Sequence, residues 1–91
     1  MKTKTVLTGM AIVVCDRGFV YVGKITMDDS FCLVENAQCI RYWGTTRGLG
    51  ELAQNGETEK TKLDPCGIVR IPVRAVINII ETEAAKWKYL K

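Results

Sequence analysis

The sequence predicts a mainly β protein, a small antiparallel barrel with one long insertion. Three observations carry that reading. Residues 10–43 alternate apolar and polar positions with the period of a strand. The alternating runs are separated by the turn residues Asp16-Arg17-Gly18 and Asp28-Asp29. After a polar, glycine-containing stretch at residues 44–67, the β pattern resumes and runs to Glu81. The 91 residues suffice for a single domain with one modest core, spanning 1–91 with the insertion at 44–67.

The elements follow in order. Residues 10–15, "MAIVVC", are rich in β-branched side chains and form the first strand. Residues 19–26 form the second, with Phe19, Tyr21, Gly23 and Ile25 on one face and Val20, Val22, Lys24 and Thr26 on the other. Gly23 inside that run marks a bend or a close backbone approach. Residues 31–34 form a third strand, Glu35-Asn36 a turn or bulge, and residues 38–43 a fourth. Within the insertion, "RGLGELAQNG" has the pattern of a short helix. Thr45 or Thr46 is the expected cap, Leu49, Leu52 and Ala53 share a face, and Asn55-Gly56 supplies the stop. "LDPCG" reads as a turn, 68–71 as a strand closed by Pro72, "VRAV" as a tight turn and 77–81 as the last strand, six strands in all. Residues 82–91 are a short C-terminal helix or a tail, with Trp87 and Leu90 placed to fold back.

Composition narrows the function classes. At 47% hydrophobic and 25% charged residues the chain has a globular composition. No apolar run approaches the ~20 residues needed to cross a bilayer, so no membrane partner is expected. The basic, apolar start has a weak likeness to a signal peptide, but Thr5, Thr8, Gly9 and Asp16 interrupt it, and it is expected to lead into the first strand in a cytoplasmic protein. The net charge of +3 is compatible with anionic ligands and also with a merely solvated surface. Cys15, Cys32, Cys39 and Cys66 lack C-x-x-C spacing and the chain has no histidine, which points to free thiols without metal. Two disulfides are the other arrangement. With no histidine, nucleophile elbow or P-loop, and with Asp28 and Asp29 diverging from a turn, no catalytic constellation is legible and no cofactor is implied. The expectation is a non-enzyme.

The stretch "RYWGTTRGLG" stands out. Trp43, or Tyr42 beside it, offers a face on which a base can stack. Thr45 and Thr46 add hydroxyls, Gly48 lets backbone approach an anion, and Arg47 adds a planar fork that matches phosphate. These are the parts of a nucleotide-phosphate site. The structural alternative makes Trp43 core, the threonines caps and the glycines punctuation. Lys60 and Lys62 either close over the anion or keep the loop soluble, and Arg70 and Arg74 line a barrel edge or subunit interface. The apolar "RAVINIIE" suggests burial against another copy, hence a homo-oligomer.

"GFVYVGKITMDDSFCLVENA" and "VRIPVRAVINII" resemble the framework of Sm-like proteins, particularly the bacterial host-factor RNA chaperone. The resemblance implies a bent second strand with Gly23 at the bend, an acidic turn ending in "DSF", and two last strands joined tightly in an SH3/Sm-like barrel. It also implies ring assembly and RNA binding, although Arg74 stands where the chaperone carries a histidine. The whole chain is similar to uncharacterised small phage and prophage proteins, and several phage proteins of this size act as non-enzymatic sponges or blockers of host defence. The expected ligand is therefore a nucleotide or short nucleic acid. A host protein docked on the insertion through Leu49, Leu52 and Leu63 is the alternative partner.

Overall fold

The computed structural model describes residues 9–45 and 47–90; residues 1–8, Thr46 and Lys91 lie outside the described residues, as does the side chain of Leu90. Five strands form one antiparallel sheet: β1 Met10–Cys15, β2 Val20–Met27, β3 Phe31–Tyr42, β4 Lys62–Pro72 and β5 Val76–Glu81. Their order is β4-β3-β2-β1-β5. One helix, α1 Leu49–Asn55, lies in the insertion.

The expected third and fourth strands are one continuous strand, which reduces six to five. Glu35-Asn36 is a bulge inside β3: the register against β4 jumps from Val34↔Val69 to Ala37↔Gly67. Asn36 takes the left-handed conformation there, φ 51°, which asparagine tolerates better than most residues. "LDPCG" is likewise strand, with Asp64 opposite Cys39 and Pro65 opposite Gln38. Pro65 is accommodated because β4 is an edge strand, with β3 as its one neighbour. The connection outside the sheet is therefore shorter than the expected 44–67, running from Trp43 to Thr61.

The sheet is strongly curled. Gly23 allows it: a Cβ there would lie 2.7 Å from both the Glu35 carbonyl oxygen and Val34 Cγ1, so only glycine lets β3 press this closely on β2. β4 and β5 sit at opposite edges, yet a 3-10 turn of three residues, Val73–Ala75, joins them. A flat sheet would hold its edges four spacings, about 19 Å, apart. Four Cα steps span at most about 15 Å. The sheet must roll until its edges approach at this end, an open barrel whose two edge strands do not pair with each other.

Curling gives the sheet two buried faces. The inner face holds Ala11, Val13, Cys15, Ile25, Cys32, Val34, Ala37 and Ile71. On the outer face Ile12, Val20, Val22 and Ile40 are covered by Leu52, Ala53 and Trp87. This explains why "MAIVVC" is apolar at successive positions: β1 is buried on both sides.

The outer cover is closely fitted. Leu52 and Ala53 face the sheet, and α1 stops at Gly56, φ 82°, whose N–H donates to the Leu52 carbonyl at 2.9 Å. A Cβ at Gly56 would run into the Lys86 carbonyl. The C-terminal segment forms 3-10 turns, Ala84–Lys86 and Lys88–Leu90, and not an α-helix. Between them Trp87 is fully buried, and its indole N–H donates to the Ala53 carbonyl at 3.2 Å. Two Lys88 nitrogens donate to Glu57, and the Tyr89 hydroxyl lies 3.1 Å from the Asn36 carbonyl and 3.3 Å from that of Val22.

Trp87→Ala removes the largest side chain of the outer core and should cost about 3–5 kcal/mol in urea unfolding. Burial, seconded by the Glu57 carboxylate, pushes the Tyr89 phenol up to about 12 from 10.0. Its raised folded value means that its contribution to stability is complete below about pH 10 and is lost as pH rises through 12. Alkaline titration of tyrosinate absorbance should show a late-ionising tyrosine that Tyr89→Phe removes.

Candidate functional site

The opening of the insertion is fastened by threonines. The Thr61 hydroxyl donates to the Trp43 carbonyl at 2.7 Å, and the Thr58 hydroxyl to the Gly44 carbonyl at 3.0 Å. Thr61 Oγ1 in turn accepts the Thr58 N–H at 2.9 Å, and Thr58 Oγ1 accepts the Lys60 N–H at 3.1 Å. Gly44 lies directly against the backbone of Lys60 and Thr61. Residues 43–44 and 58–61, far apart in the chain, are thus locked side by side.

Above this clamp the aromatics stand out. Tyr42 is 59% exposed and Trp43 42% exposed. Trp43 is therefore not core; Trp87 takes that place. A shallow cavity of about 240 Å³ is lined by Arg41, Tyr42, Trp43, Gly44 and Thr45. The leucines of the insertion point the other way: Leu52 is fully buried, and Leu49 and Leu63 pack against the outer core.

The expected site residues divide into groups. Trp43, Thr45 and Gly48 come together, since the Thr45 hydroxyl donates to the Gly48 carbonyl at 2.7 Å and the Trp43 ring borders Gly48. Thr45 does not cap α1: the cap position is Gly48, with no side-chain bond. Thr46, the other expected cap and ligand contact, lies outside the described residues. The Arg47 N–H donates to the Glu51 carboxylate at 2.9 Å, so a carboxylate of the chain already sits at the helix start. The Arg47 side chain borders a second cavity of about 290 Å³, with Gly50, Glu51, Gln54 and Asn55. Lys60 adjoins Gly44, and Lys62 pairs in register with Tyr42.

Arg74 is not part of this group. It lies at the far end of the β3–β4 pair, where Phe31 is opposite Pro72, and lines a cavity of about 500 Å³ with Asp29, Ser30, Phe31, Pro72 and Val73. There the Arg70 guanidinium stands 5.5 Å from the centre of the Phe31 ring, which is 42% exposed.

Several residues escaped the sequence reading. Arg41 lines the same cavity as Trp43, and its Nη1 bonds Asp64 Oδ2 at 2.6 Å. That bond pushes the guanidinium above its already high ordinary value. Asp64 was hidden because "LDPCG" has the composition of a turn, and Thr58 and Thr61 because "ETEKTK" has that of a solvated loop. Phe31 was legible only as an alternating strand position; Arg70, expected with Arg74 at a barrel edge or subunit interface, meets its ring across the β3–β4 ladder.

The four cysteines are free: Cys15 and Cys32 are buried, Cys39 is half-buried and Cys66 exposed. Burial pushes the Cys15 thiol up to about 11, with smaller contributions from Cys32 and Asp16, and raises Cys32 and Cys39 as well. These three are poor nucleophiles at neutral pH. Among the described residues no group of three or more acidic, cysteine or histidine side chains is placed to hold a metal ion, and no helix is long and apolar enough to cross a membrane.

No known family model matches the chain, nor does any curated protein or solved structure. The site's chemistry therefore rests on its own geometry.

Thr61→Val removes the donor to Trp43 and the acceptor for Thr58 together. It should cost about 0.5–1.5 kcal/mol per lost bond. Acrylamide should then quench the Trp43 fluorescence more readily while the buried Trp87 stays protected.

Proposed function

We propose that the protein is a non-catalytic binding module for a phosphate-bearing ligand, a nucleotide signal or a short nucleic acid, held at the ledge formed by residues 41–45 with Gly48. The observation that carries this reading is the exposed Tyr42–Trp43 pair on a backbone pinned by Thr58 and Thr61. A base stacks on Trp43 or Tyr42, which is worth roughly 1–3 kcal/mol per base. Arg47, Lys60 and Lys62 supply positive charge around it, and Thr45 and Gly48 shape its floor. The inward turn of Leu49, Leu52 and Leu63 favours this over a host protein docked on those leucines. In the phage context suggested by the sequence, the role is a sponge that sequesters a defence signal in the host cytoplasm.

A second reading, Sm-like RNA binding, is favoured by the exposed Phe31 ring, which has the Arg70 guanidinium over it and lines a cavity with Arg74. The unpaired edges also support a homo-oligomer in which β4 of one copy pairs with β5 of the next. Ile68 on β4 and Ile77 on β5 are 68% and 63% exposed, a liability on open edges that pairing between copies relieves.

Titration with nucleotides, cyclic dinucleotides and short RNA should quench Trp43 and raise the melting temperature. Trp43→Ala should abolish most nucleotide binding, and Arg47→Ala should weaken it about tenfold to a hundredfold if its guanidinium holds phosphate, from ~1.5–3 kcal/mol. RNA binding that survives Trp43→Ala and is lost in Phe31→Ala selects the second reading. A panel that neither quenches Trp43 nor shifts melting overturns both. Light scattering should give a mass above one chain, and Ile77→Lys should return it to the monomer.

A further inference from the structure

The cavity beside Trp43 contains a cation already paired with an anion of the chain. Arg41 lines it with Tyr42, Trp43 and Thr45, and its guanidinium holds the Asp64 carboxylate at 2.6 Å. Both side chains are well exposed, 66% and 52%, so the pair is solvated and exchangeable. A carboxylate oxygen on one guanidinium N–H stands where a phosphate oxygen would stand on the same donor. We infer that Asp64 occupies the phosphate position of the ledge, that ligand phosphate displaces it from Arg41, and that the site therefore selects phosphate monoesters over diesters. The inference rests on the ligand-binding reading above and names the ligand class.

The selectivity follows from the exchange. A phosphodiester carries one negative charge, so replacing Asp64 by a diester exchanges like for like on Arg41. A monoester carries about −1.5 to −2 charges at pH 7 and has three acceptor oxygens for the fork. It gains what the diester does not. The displaced Asp64 side chain remains in water, where its repulsion of the bound phosphate is screened. Displacing Asp64 costs the same whichever anion enters, so an anion that Arg41 holds no better than it holds Asp64 gains nothing from the guanidinium, and a monoester does.

The test uses AMP, 3′,5′-cyclic AMP and adenosine, which share a base and differ at the phosphate. Binding is followed through Trp43 fluorescence and calorimetry on the full chain. The parent should bind AMP about tenfold or more tightly than cyclic AMP, with cyclic AMP close to adenosine. Arg41→Ala should weaken AMP about tenfold and leave adenosine unchanged, and Arg41→Lys should restore part of the loss. Asp64→Asn should tighten AMP roughly two- to five-fold and cyclic AMP by no more than that, while adenosine is unchanged. Circular dichroism and melting confirm that each variant keeps the fold. Equal binding of AMP and cyclic AMP by the parent overturns the inference, as does an Asp64→Asn variant whose AMP affinity is unchanged or weaker. AMP binding that needs Trp43 but not Arg41 overturns the inference and leaves the ligand reading standing. A parent that binds none of the three compounds overturns the inference and counts against a nucleotide ligand.

Discussion

The structure depends on burying both faces of one short, curled sheet. Ala11, Val13 and Cys15 fill the inside of the curl, while Ile12 in the same strand points outward and needs its own cover. Five strands cannot supply it. α1 and the C-terminal segment do, meeting over Ile12, Val22 and Ile40 with Trp87 between them. The insertion is thereby part of the fold, because Leu52 and Ala53 belong to the outer core.

That packing constrains the ledge. α1 is anchored by its leucines below and by Glu83 and Trp87, whose N–H groups both reach the Ala53 carbonyl. At the end of β3 the threonine clamp holds Trp43 and Gly44 by their carbonyls. Exposed aromatics on so restrained a backbone lose little entropy on meeting a planar ligand. The β3–β4 ladder also brings Arg41 near Asp64: Asp64 lies opposite Cys39, two positions before Arg41 on the same strand, and the two exposed side chains meet across that offset.

Much of the framework was legible because local patterns agreed with tertiary packing. Met10–Cys15, the Gly23 bend, the helix around Leu52 and its stop at Gly56 each follow from residues whose local preference the fold keeps. Legibility failed where a neighbouring strand overrode a local signal. Asn36 and Pro65 both resemble turn residues, yet each sits in a ladder: a bulge absorbs the first, and an edge position the second. Trp43 and Trp87 cannot be told apart by composition; what separates them is that Ala53 offers Trp87 a buried acceptor. Of the ledge, the aromatic and Thr45 were readable from one contiguous stretch. Thr58, Thr61 and Asp64 were not, since only the β3–β4 pairing brings them back to it.

The short link between β4 and β5 bears on how the chain reaches this state. Two strands joined by three residues would ordinarily zip into a hairpin, but here they lie on opposite edges and the last strand pairs with the first, Val13 beside Ile79. The nearest partner in sequence is the wrong one, and the right one is almost a chain length away. Closing so long a loop before any contact repays it makes folding slow for a chain of this size. During synthesis, β1 waits with one edge unpaired until β5 has left the ribosome, and Trp87 emerges after it. The curl and its outer cover thus become available together.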